Sequence, residues 1–130
     1  MTSSPPPRLA LTACSLALVS VLVLGAGSPY AELPDDLTLE GDIEAGRIIA
    51  TTRAKGNCVA CHVIAGAESP GAIGPVLIAI QTRYPDKRAL AEQIWDPTAQ
   101  KPDMVMPPFG KHEILTEQEF ADVVEFVWSL

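Results

Sequence analysis

Basic residues are scarce in this 130-residue chain, with 9 Lys and Arg against 16 Asp and Glu. Residues 32–130 hold 8 of the basic and all 16 of the acidic side chains. Without a basic stripe the chain is not built to bind nucleic acid. Three cysteines allow one oxidised pair at most. Long apolar runs are also lacking. The one uncharged stretch runs from Leu9 to Ala31, and its apolar part, Leu9 to Leu24, is 16 residues. A spanning helix needs about 20. The apolar share of 48% and mean hydropathy of +0.21 are therefore owed to this leader and not to several membrane spans. No internal repeat and no strand-like alternation is visible. The length suits one small domain.

Arg8, the apolar stretch and the small residues Gly25, Ala26, Gly27 and Ser28 together describe a secretory signal peptide over residues 1–31. Ala31 offers a second cut, and Pro29 crowds both, so cleavage is placed within residues 27–31. The alternative is a retained anchor, for which the apolar run is short. Leu11-Thr12-Ala13-Cys14 superficially resembles a lipoprotein cut site. The chain stays apolar for the ten residues after Cys14, where a lipoprotein turns polar, so Cys14 is expected to leave with the leader and no stable membrane anchor is expected.

After the leader, residues 32–41 are acidic and read as an extended arm before a domain over residues 42–130. Ile43, Ala45, Ile48 and Ile49 fall near one face at helical spacing, which predicts a helix from Asp42 to Ala54 ended by Gly56-Asn57. Gly46 inside it costs about 1 kcal/mol relative to Ala, unless another helix crosses closely there. Residues 63–86 are rich in Gly and Pro and predict loop. Asp86 caps a middle helix with Leu90, Ala91, Ile94 and Trp95 as its apolar positions, stopped by Asp96-Pro97. A second loop runs from Thr98 to Ile114. Thr116-Glu117-Gln118-Glu119 is a capping-box signature, opening a helix with Phe120, Val123, Val124, Val127 and Leu130 along one face. The fold class is all-α, with about three helices and long loops. So much loop in 99 residues buries a thin core, and a large apolar cofactor would complete it.

Cys58-Val59-Ala60-Cys61-His62 supplies that cofactor, because this spacing is the signature of c-type haem attachment. Two thiols one helical turn apart face one side and reach the two vinyl groups of a porphyrin edge. His62 then offers an imidazole nitrogen to the iron. A disulfide, a redox dithiol and a zinc site are the alternatives; zinc needs further ligands, and His112 is the one histidine left. In bacteria covalent haem is attached outside the cytoplasmic membrane, so motif and leader agree on the periplasm. Electron transfer favours a second protein ligand, and the candidates are Met104, Met106 and His112. A thioether favours ferrous iron and raises the potential. Pro107-Pro108 stiffens the chain after Met106, yet Met104 is near enough that distance does not decide. A carbonyl in the Gly74-Pro75 loop is the candidate partner for the other ring nitrogen of His62.

The run from Gly56 to His62, followed by Ile73-Gly74-Pro75 and the C-terminal helix, resembles the class I cytochrome c family. Within it, Ile94-Trp95-Asp96-Pro97, Met106-Pro107-Pro108-Phe109-Gly110 and Ile114-Leu115-Thr116 resemble the SoxX family, the monohaem subunits of SoxAX complexes in bacterial sulfur oxidation. The likeness covers residues 40–130 and is specific in the second half. It implies a class I cytochrome c fold around one covalent haem c, with Cys58 and Cys61 binding the haem, His62 as proximal and Met106 as distal iron ligand. It assigns no catalytic residue to this chain. It further implies a heterodimer with SoxA, whose haem is the catalytic one of a thiosulfotransferase. SoxA joins thiosulfate to a cysteine of the SoxYZ carrier, and electrons pass through SoxX to an acceptor cytochrome c. Val76 departs from the family, which often has a second Pro after Gly-Pro. The competing readings are a free, diffusible monohaem electron carrier and, less compatible with a second ligand, a haem enzyme or gas sensor.

Overall fold

A computed structural model describes residues 1, 33–68 and 71–130. The leader, with Cys14 and the cleavage region, lies outside the described residues. Among the described residues there are three α-helices: α1 (Ile43–Thr51), α2 (Lys87–Trp95) and α3 (Glu117–Trp128). Short 3₁₀ turns cover Cys58–Ala60, Ile80–Thr82 and Pro97–Ala99. The only extended pairing among the described residues is one isolated parallel bridge between Ile64 and Leu77. No described helix is long and apolar enough to cross a membrane.

Each helix begins at a side-chain cap: Asp86 and Thr116 as expected, and Asp42, which the sequence places inside α1. Asp42 accepts from the Ala45 N–H at 2.7 Å, and Asp86 accepts from the Ala89 N–H at 2.8 Å. Thr116 and Glu119 form the reciprocal capping box, at 3.3 and 3.1 Å. Each such cap is worth about 1 kcal/mol. α1 ends at Thr51, three residues before the predicted end. The Thr52 N–H already closes on the carbonyls of Ile48 and Ile49, and Gly56 folds its N–H back onto Ile49 at 3.1 Å.

The face that α1 buries also differs from expectation. Ile43 and Ile48 are 49% and 52% exposed, while Gly46 and Ala50 are buried and, of the expected face, Ile49 packs partly buried against the core. The helix turns its smallest residues inward because the partner is a helix backbone. α1 packs chiefly on α3, and a Cβ on Gly46 would lie 1.9 Å from the carbonyl oxygen of Asp122 and 2.8 Å from the Cβ of Phe126. The expected close crossing is present, registered one residue before Val123 and Val127. Asp122 fixes that register: its Oδ1 accepts from the Asp42 N–H at 2.8 Å and from Gln118 at 2.9 Å.

The core lies between the helices and the loops. Phe120, Val123 and Val124 of α3 are essentially fully buried, with Leu90, Ala91 and Ile94 of α2. Trp95 meets Phe120 edge to face at 5.3 Å between ring centres, a favoured aromatic geometry. Leu33 and Leu37, in the segment before Asp42, belong to the same cluster. Lys55 pairs with Glu119 and Lys87 with Glu125, each tying α3 to another part of the chain. The Lys55 ammonium holds the Glu119 carboxyl below the ordinary carboxylate range. The stabilisation from that lowered group is present at neutral pH and is lost as pH falls below that range.

Candidate functional site

A cavity of about 910 Å³ opens between α2, α3 and the two long loops. Cofactor pockets commonly span about 300–1,000 Å³, so it is large enough for a macrocycle. Its deep wall is apolar: Ile80, Leu90, Ile94, Phe109, Leu115, Val123 and Val127 all face it. Cys58, Cys61 and His62 line one side, and Met104 and Met106 line it too, so both thioether candidates reach the same space. His112 is exposed and does not line the cavity, which leaves it as a surface residue on the turn after Gly110. A second cavity of about 390 Å³ lies behind the attachment turn, with Arg47, Arg53 and Glu68 on its walls and none of the candidate ligands.

The Cys58–His62 loop is wound by its own backbone. Asn57 enters it at φ 49°, a left-handed conformation that Asn tolerates better than most residues. The N–H groups of Cys61 and His62 both close on the Cys58 carbonyl, at 3.2 and 2.9 Å. This tight turn is what brings residues 58 and 61 to one face. The two cysteines are not joined to each other. Burial pushes the Cys58 thiol up to about 11, the opposite direction from the lowered thiol of a redox dithiol. No three or more His, Cys, Asp and Glu among the described residues are arranged to hold a metal ion, as a closed zinc site would require. The donor set fits two thioether attachments and a separate imidazole ligand.

The His62 ring is fixed from behind. Its Nδ1 lies 2.7 Å from the carbonyl oxygen of Pro75, as expected of a metal-ligating imidazole whose far nitrogen is held by a carbonyl. That leaves Nε2 as the ring nitrogen a metal could take. Gly74 packs flat on the ring, and a Cβ there would fall 2.5 Å from Cε1 and 2.7 Å from Nδ1. The loop is held in turn by Arg83, whose guanidinium donates to the carbonyls of Val76 and Ile78 at 2.7 and 2.9 Å. Sequence reasoning did not single out Arg83; no motif marks a side chain whose partners are carbonyls. Gly74→Ala should tilt or displace the imidazole. The expected outcome is a holoprotein with altered axial-ligand spectra and at least partial ligand loss, read by magnetic circular dichroism.

A cytochrome c family model matches residues 43–130, which include every residue of the Cys58–His62 motif and both methionines. A protein described as an uncharacterized lipoprotein of Aquifex aeolicus (strain VF5) is 32% identical over an alignment of 112 residues that covers 72% of this chain. It covers 52% of that relative, so the chain spans about half the length of the curated protein it matches. Among solved structures, SoxXA from P. pantotrophus matches with a TM-score of 0.64 and 29% identity, over 76% of this chain and 88% of that one. The match supports a SoxX-type cytochrome, and the all-α arrangement of three helices and straps is that of class I. With the family model spanning most of the chain and the cavity built as a haem pocket, the chain belongs to the cytochrome c family and carries covalently attached haem c.

Proposed function

We propose that this chain is the electron-transfer subunit of a SoxAX-type thiosulfotransferase complex in the periplasm, exported by a signal peptide within residues 1–31. The observation that carries the reading is the likeness to SoxXA, which extends over 88% of that chain at 29% identity. Cys58 and Cys61 would hold the haem, and His62 and Met106 would be the ligands of its iron. The bound group supplies a one-electron iron couple. The protein's part is to exclude water with the apolar cavity wall, to fix the His62 imidazole through Pro75, and to present a thioether from the opposite strap. Two protein ligands leave no open position for substrate, which suits a relay and leaves the sulfur chemistry to the partner. That partner is SoxA, which attaches thiosulfate to the SoxYZ carrier cysteine. The electrons released pass through this chain to an acceptor cytochrome c.

Met106 is chosen over Met104 for two reasons. Its side chain packs partly buried against the core cluster, and Pro107-Pro108 limits the entropy lost when its sulfur is held. Met106→Ala should abolish the weak near-red band of thioether-ligated ferric haem, lower the reduction potential and open the ferrous iron to carbon monoxide. Haem should stay attached through Cys58 and Cys61. Met104→Ala should leave the band essentially intact, and the reverse pattern would transfer the ligand to Met104. Co-purification tests the complex. Elution of this chain with a dihaem SoxA is the expected result, and elution alone while that protein is present would make it a diffusible carrier.

A further inference from the structure

Asp96 is shared by two helix ends, being also the N-cap of the Pro97–Ala99 turn. It caps the C-terminal end of α2, the end at which the helix dipole favours cations, and it is only 4% exposed. A buried anion there needs compensation. Its two oxygens find it in different places. Oδ1 serves the local turn, accepting from the Thr98 N–H at 3.0 Å and from the Thr98 hydroxyl. Oδ2 lies 2.5 Å from the ammonium of Lys111, which directly follows the Met106–Gly110 strap.

The strap touches the same helix end at three further points. The Phe109 N–H donates to the Ile94 carbonyl at 3.2 Å, and the Lys111 N–H donates to the Trp95 carbonyl at 3.2 Å. These are carbonyls that a helix end leaves without partners, so the strap itself caps α2. Gly110 lies against the Trp95 indole so closely that a Cβ would come 1.8 Å from the ring. Strap and helix end thus form one unit, closed on its outer side by an ion pair. Neither Asp96 nor Lys111 lines the cavity. The geometry points to the Asp96–Lys111 pair as a clamp that positions Met106, pressing the strap onto α2 so that the thioether stays over the haem. Both are positioning residues, acting through the strap. The inference rests on Met106 being the distal ligand.

The test uses ferric holoprotein titrated with cyanide, which enters only when the thioether leaves. Lys111→Met removes the cation without touching the turn. Asp96→Asn keeps the Oδ1 acceptor for Thr98 and removes the anion. Each should raise cyanide affinity about ten-fold or more, the scale of one hydrogen bond to a charged group, and should lower the reduction potential. Lys111→Arg should restore both to the parent values. Asp42→Ala, which removes the α1 cap far along the chain from the strap, should lower overall stability and leave cyanide affinity unchanged. If Lys111→Met left cyanide affinity unchanged while Met106→Ala abolished the near-red band, the clamp would be refuted and the ligand would stand. Equal effects from Lys111→Met and Asp42→Ala would reduce the pair to general stabilisation and overturn the clamp. A near-red band that survives Met106→Ala would remove the ligand itself, and the clamp with it.

Discussion

Gly46→Leu is expected to destabilise the holoprotein by about 3 kcal/mol or more, the upper range for overpacked core positions. The reason is backbone against backbone. The first side-chain carbon alone would lie 1.9 Å from the Asp122 carbonyl oxygen and 2.5 Å from its carbon. A flexible side chain could move away from such a contact, but a main-chain carbonyl inside α3 cannot without shifting the helix. Gly41 faces the same strand of main chain, with a Cβ position 2.4 Å from the Ala121 oxygen, so the two segments cannot simply slide past each other. Separating them also breaks the hydrogen bond from the Asp42 N–H to the buried Asp122 carboxylate. At about 4–8 °C per kcal/mol for a domain of this size, the melting temperature should fall by more than about 10 °C. Gly46→Ala gives the sharper sign test. Helix propensity alone favours Ala by about 1 kcal/mol, whereas the structure requires a loss. A stabilised Ala variant in chemical denaturation would show that the crossing is looser than described.

Replacing both Cys58 and Cys61 by Ala should leave a chain that is largely unfolded once haem is no longer held. The cavity is not a surface cleft in an otherwise complete core. Ile80, Leu90, Ile94, Phe109, Leu115, Val123 and Val127 are buried and also line it. They come from α2, α3 and the loops beside them, and together form the apolar lining that haem would cover. Without haem the apolar lining of a cavity of about 910 Å³ faces water, and a whole domain is held by only about 5–15 kcal/mol. Hydrogen exchange and far-ultraviolet circular dichroism on the haem-free double variant provide the check. A cooperative, protected fold in that variant would show that the polypeptide builds its core without the macrocycle.

What could be read from the residues was whatever is encoded by a local rule. The caps of all three helices are side chains three residues from the amides they serve, and Asp86 and Thr116 marked their helix starts without any tertiary information. The Cys58–His62 spacing is likewise local, and the Gly74-Pro75 carbonyl behind His62 followed from what a ligating imidazole needs. The inward face of α1 was not legible in this way. Ile43 and Ile48 obey helical periodicity, yet the helix turns them outward because the neighbour at the crossing is a main chain that leaves no room for a side chain at Gly46. Periodicity ranks faces by hydrophobicity, whereas a close helix crossing ranks them by size.

The sequence alone determined the cofactor chemistry, the all-α class and the set of candidate iron ligands, because each depends on residue type and short spacing. Tertiary structure decided which candidates meet. It brings Met104 and Met106 to the cavity with Cys58, Cys61 and His62, and leaves His112 outside on an exposed turn. It also decided the supports behind the candidate ligands: Arg83 on the carbonyls of 76 and 78, Trp95 under Gly110, and Lys111 reaching back to Asp96. These contacts join residues 5 to 15 positions apart through the path of irregular loops. That path is set by packing around a shared cavity and not by any period in the chain.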